Sequence, residues 1–120
     1  MEVTGSFIRK HRGRFLEELI EWLKIPSVSA DPDKKNEVVR AANWVKDSMQ
    51  KAGLDQVRMI ETAGFPMVYG EKIVAQGAPT VLVYGHYDVQ PADPLDLWDA
   101  PPFDPVIKDE KIYARGAADD

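Results

Sequence analysis

Residues 80–91, TVLVYGHYDVQP, constrain the fold of this 120-residue chain more than any other stretch. Val81, Leu82 and Val83 place apolar side chains on both faces of an extended segment. A strand without polar alternation is expected to lie centrally, covered on both sides, in an α/β or α+β sheet with helices packed on it. The run breaks at Gly85, and His86 then stands two residues before Asp88. In open α/β sheets the ligand crevice lies beyond the carboxyl ends of the strands, which is where this pair falls. If extended geometry persists through Tyr87, His86 and Asp88 project to one side. Asp88 can then accept a hydrogen bond from one imidazole nitrogen while the other nitrogen binds a metal. The residues also admit a plainer arrangement, with the histidine satisfied by a backbone carbonyl and Asp88 an ordinary turn residue.

The elements before this strand read as two helices. Phe15, Leu16, Leu19, Ile20 and Leu23 recur at helical spacing, and the preceding basic run IRKHRGRF, with His11, reads as a solvated first turn. Pro26 disfavours helix at Ile25 and stops the element nearby. A second helix is signalled by SADPDKKNEVVRAANWVKDSMQKAG, with Ser or Asp caps before it, Val38, Ala41, Ala42, Val45 and Met49 on one face, and Gly53 as the residue just past its end. From Gly53 the period becomes extended. QVRMIET, PMVYGEKIVA and TVLVY predict three strands, with AQGAP a hairpin between the second and third. After a proline-rich loop, VIKDEKIYARG predicts a second hairpin turning at KDEK.

Composition removes several classes of function. An apolar share of 44% with 29% charged residues suits a globular domain rather than a disordered one. Fifteen Lys and Arg against twenty Asp and Glu give a net charge of -5, which repels a phosphate backbone, so no nucleic-acid partner is expected. With no cysteine, any metal must be held by nitrogen and oxygen ligands. No run approaches the ~20 apolar residues of a membrane span, and none resembles a signal peptide. A cytoplasmic location without a membrane partner is the expectation.

The chain closes on YARGAADD, in which paired carboxylates follow a glycine-containing loop. Alone such a pair reads as a solvated tail. Together, VLVYGHYDVQP, the tryptophan of DLWDAPPFDP and KIYARGAADD resemble the carnosinase-like zinc dipeptidases, within the metallopeptidase family of aminoacylases, desuccinylases and glutamate carboxypeptidases. IPSVSADP and TAGFPMVYGE are similar to bacterial members as well, so the resemblance runs through nearly the whole chain.

The resemblance implies a mixed α/β fold in which residues 1–120 are the N-terminal part of a co-catalytic zinc peptidase domain, its dimerisation or lid domain absent. It implies that His86 is a metal ligand and that Asp119 bridges two zinc ions, with cobalt or manganese as substitutes. Asp88 is implied to be the catalytic acid that orients His86, and Asp120 to follow Asp119 through a cis peptide. Such a centre performs metal-assisted hydrolysis of an amide in a dipeptide or acylated amino acid, two metals ~3.5 to 4 Å apart sharing a water. Relatives add Lys-Gly after the paired aspartates, then a glutamate pair holding the general base, a further acid and a last histidine. None of these is in this sequence. The chain is therefore expected to be inactive by itself and to act within a larger enzyme. The missing domain is the one through which many relatives dimerise, so a homodimer of the full-length enzyme is left open and the resemblance implies no oligomeric state for this chain. The alternative expectation is a free-standing, non-catalytic binding or assembly domain with the same fold.

Overall fold

A computed structural model describes residues 1–119. Helix α1 spans Glu2–Leu23, starting well before the apolar stripe read from the sequence. The basic run therefore lies inside the helix rather than forming its first turn. Two local interactions account for the extension. Glu2 stands in the first turn, where the helix dipole favours an acid. Phe7, His11 and Phe15 stack at successive four-residue intervals, with centroid separations of 4.4 and 6.3 Å. His11 is thus half-buried against its neighbours rather than fully solvated. The helix stops ahead of Pro26, and only Leu23 of its stripe is buried.

The Asp31 carboxylate accepts a 2.9 Å bond from Asp33 N and opens a single 3-10 turn, Pro32–Lys34, that leads into helix α2, Lys35–Lys51. Val38, Ala41 and Ala42 of α2 are wholly buried, as their spacing requires. The helix ends in a Schellman motif: Gly53 N donates to Gln50 O at 3.0 Å and Leu54 N to Met49 O at 3.1 Å. Gly53 has φ +82, a left-handed conformation that suits glycine. Trp22 and Trp44, with centroids 4.8 Å apart, join the end of α1 to α2.

Strands β1, Asp55–Ile60, and β2, Met67–Glu71, form an antiparallel hairpin with Arg58 opposite Tyr69 and Ile60 opposite Met67. The register slips between Asp55 and Arg58, where Gln56 takes φ +53. Gly70 lets α2 close onto this hairpin. A Cβ there would lie 3.1 Å from Leu54 Cδ2, 3.3 Å from Val57 Cγ2 and 3.4 Å from Met49 Sδ. Strands β3, Val106–Lys108, and β4, Lys111–Tyr113, make the second hairpin where the sequence places it, turning through Asp109 and Glu110 at φ 51 and 58. Helices, two hairpins and loops make a mixed α/β architecture. No described helix is long and apolar enough to cross a membrane.

The expected central strand is the main correction. Val81, Leu82, Val83 and Tyr84 are 81, 90, 87 and 88% exposed and join no ladder among the described residues. The segment AQGAP turns at Gly77 but pairs nothing, and the hairpin expected there forms one connection earlier, between β1 and β2. Strand β2 also stops at Glu71, leaving Ile73 and Val74 exposed. The physical reason is that an apolar run of this kind needs flanking strands and a covering layer, and neither two-stranded hairpin runs alongside residues 80–84. The radius of gyration, 16.5 Å, exceeds the ~14 Å of a compact chain of this length, and the thinnest dimension is 19 Å. The result is a flat layer in which residues 81–84 pair with no described strand.

Because the Schellman turn depends on a left-handed residue, Gly53→Ala should lower stability by about 1 kcal/mol. Chemical denaturation followed by circular dichroism measures this, and an unchanged midpoint would show that the helix end is not stabilised by that turn.

Candidate metal centre

Two segments distant in sequence create the base of the site. Beyond α1 the chain kinks at Pro26, with Ser27 N donating to Ile25 O and Val28 N to Pro26 O, each at 2.8 Å. Ile25, Ser27 and Val28 are all buried. Val28 then forms a parallel bridge with Val89, and Val89 N donates to Ser27 O at 3.0 Å. The Ser27 hydroxyl donates to Tyr87 O at 2.9 Å. Every backbone atom that fixes residues 87–89 in this way also fixes the direction of His86 and Asp88.

His86 Nδ1 lies 3.2 Å from Asp88 Oδ1 and 3.0 Å from Asp88 O. The carboxylate and the backbone carbonyl expected as rival partners both belong to Asp88, so the two arrangements coexist. His86 Nε2 lies 3.6 Å from Asp119 Oδ1. A proton on Nδ1, facing Asp88, would leave the Nε2 lone pair free to share a cation with the Asp119 carboxylate. One imidazole nitrogen and one carboxylate converging, with a second carboxylate behind the ring, is a nitrogen and oxygen donor set that fits a zinc-type ion. Their side chains are 41, 39 and 71% exposed for His86, Asp88 and Asp119. No cluster of three or more His, Asp or Glu positioned for a metal occurs among the described residues. Asp120 and the cis peptide expected before it lie outside the described residues.

Asp119 is carried by a loop pinned at two points. Gly116, at φ +82, packs so closely that a Cβ would stand 2.8 Å from Val89 Cγ1. Arg115 N donates to Pro102 O at 2.7 Å, and its guanidinium lies 5.3 Å over the Trp98 ring. Trp98 in turn donates through Nε1 to Ala92 O at 2.8 Å. Trp98, Pro102 and Phe103 are half-buried and Pro101 is exposed, so most of the aromatic-proline loop serves to hold Arg115 and its neighbours. On the other flank, the Tyr87 hydroxyl donates to Pro66 O at 2.5 Å, tying the site to the loop between β1 and β2. Burial first, and the Asp88 charge second, push the Tyr87 phenol up, which keeps that donor protonated. Trp22, Leu23, His86, Asp88, Arg115 and Asp119 line the resulting crevice.

Residues 82–120 match the family model described as Peptidase family M20/M25/M40. In sequence and fold the chain belongs with these peptidases. It is 35% identical to the Cys-Gly metallodipeptidase DUG1 of Candida albicans, over 94% of this chain and 26% of that protein. The solved M20 relatives include the di-peptidase Dug1p from Saccharomyces cerevisiae, at TM-score 0.84, 31% identity and coverage of 94% of this chain and 26% of that one. They also include human carnosine dipeptidase 1, at TM-score 0.85, 31% identity and coverage of 96% and 27%. The chain thus spans about a quarter of the length of its M20 relatives. By name these relatives are dipeptidases, and DUG1 a metallodipeptidase.

Sequence reasoning singled out His86, Asp88 and Asp119, and the structure places His86 Nδ1 3.2 Å from Asp88 and His86 Nε2 3.6 Å from Asp119. It passed over Ser27 and Ser29, whose hydroxyls bond to Tyr87 O and to Asp88 Oδ2. The available signal was a pair of serines alternating about Val28 directly after a helix-stopping proline, the pattern of a short extended segment with one polar face.

Gly116→Ala combines left-handed strain with a clash on Val89 and should cost about 2 kcal/mol. Adding Val89→Ala should recover the clash but not the strain. Thermal melts of the single and double variants decide this, and full recovery in the double variant would show that the backbone conformation contributes nothing.

Proposed function

We propose that this chain forms part of the catalytic domain of a zinc-dependent dipeptidase that hydrolyses the amide bond of dipeptides or short peptides. The observation that supports this reading is the line of contacts Asp88–His86–Asp119, with Nδ1 turned to one carboxylate and Nε2 to the other. His86 and Asp119 are assigned as metal ligands and Asp88 as the acid that fixes the histidine tautomer. Two bound zinc ions would supply a water of lowered pKa and a polarised scissile carbonyl.

The chain's own residues do the rest of what is assigned here. Asp88 holds the proton on Nδ1, keeps the Nε2 lone pair directed into the crevice and raises its basicity. Asp119 would be the carboxylate that holds the ions together with His86, and Gly116 and Arg115 hold its loop against the segment of His86 and Val89. Tetrahedral zinc needs more donors than His86 and Asp119 provide, so the remaining ligands and the general base are assigned to the rest of the enzyme. The same reading gives residues 81–84 their missing neighbours, since an apolar run of this kind becomes a central strand once flanking strands and a covering layer are present.

In the complete enzyme His86→Ala should abolish zinc retention and dipeptide hydrolysis. Asp88→Asn should preserve the fold and lower metal affinity and turnover by about 10 to 100-fold. Metal analysis and a Cys-Gly hydrolysis assay on purified variants give the answer, and wild-type zinc content with wild-type turnover in either would refute the assignment. Residues 1–120 purified alone should hydrolyse no dipeptide at any zinc concentration. Zinc-dependent turnover by that piece would show that the site needs no further ligand.

A further inference from the structure

The Asp88 carboxylate has two oxygens, and each has its own polar partner. Oδ1 faces His86 Nδ1 at 3.2 Å, and Oδ2 accepts from Ser29 Oγ at 2.5 Å. We propose that Ser29 is a positioning residue of the metal centre, holding the plane of the Asp88 carboxylate and through it the orientation of the His86 ring. The inference rests on the dipeptidase reading above and deepens it.

A carboxylate turns easily about its last torsion, which has broad and shallow preferences. A single hydrogen bond to His86 leaves that rotation available, whereas a second donor on the other oxygen removes it. Ser29 can do this because its own backbone is held on the near side. Val28 is fixed in the bridge to Val89, and Asp31 N closes a turn onto Val28 O at 3.2 Å. Ser27, two residues earlier, points its hydroxyl to Tyr87 O, so the two serines grip successive residues of the segment that carries His86, one by its backbone and one by its side chain. A hydroxyl suits this position because it rotates to donate and carries no charge that would compete for the ion. Ser29 is half-buried, which limits the water that could replace it.

The test uses the complete gene product, stripped of metal and titrated with cobalt(II), whose visible absorption reports affinity and ligand geometry together. Ser29→Ala should weaken cobalt binding by about tenfold, the low end for an outer partner of a ligand, and alter the absorption band. Ser29→Thr, which keeps the hydroxyl, should restore both. The melting temperature of the metal-free protein should stay close to wild type in both variants. Wild-type affinity in Ser29→Ala alongside lost binding in His86→Ala overturns the Ser29 inference and leaves the dipeptidase reading standing. So does a weakening that Ser29→Thr fails to repair. Unchanged cobalt binding in His86→Ala overturns the dipeptidase reading, and the Ser29 inference with it.

Discussion

The pairing of Val28 with Val89 is the constraint on which the rest of the site depends. It joins segments about 60 residues apart and is reinforced by the buried Ser27, whose backbone and hydroxyl bond to both sides of Asp88. Removing a partner from such a buried polar group costs more than the bond contributes, because the remaining group stays desolvated. The contact therefore acts as a hinge pin. His86 and Asp88 extend from one side of it, and Val89 extends from the other to meet Gly116 and the loop that carries Asp119.

This arrangement explains why so exposed a site is nonetheless ordered. The three candidate residues are 39 to 71% exposed at their side chains and contribute little burial of their own. Their positions come from neighbours that are buried: Leu23, Ile25 and Val28 beneath, and Ala92 beside. Trp98 joins in by spanning Ala92 O and the Arg115 guanidinium, so the proline-rich loop ties both ends of the site together.

What the sequence made legible was whatever depends on neighbours along the chain. Helix α2 was readable because Val38, Ala41 and Ala42 follow the helical period and Gly53 supplies the left-handed residue that ends it. The β3–β4 hairpin was readable from two apolar runs about a polar turn. His86 and Asp88 stood out only through the motifs they share with the peptidase family, and the match to M20 peptidases bears out that family resemblance. The start of α1 was hidden because a charged stretch looks solvated until its aromatic residues are seen to stack. The pairing of residues 80–84 was hidden for a different reason: an apolar pattern specifies that a strand is to be covered, but not by what. Ser29 was missed because a hydroxyl becomes informative only when its partner, 59 residues away, is known.

The separation of these partners in sequence has a consequence for how the site comes into being. The α2–β1–β2 unit is built from contacts between neighbouring elements, which close short loops and form early. The clasp between Ser29 and Asp88 must close a loop of 59 residues, and the approach of His86 to Asp119 requires the chain to be made through residue 119. The crevice thus depends on the long-range contacts of the chain, whereas the helix-hairpin layer beside it depends on short-range ones.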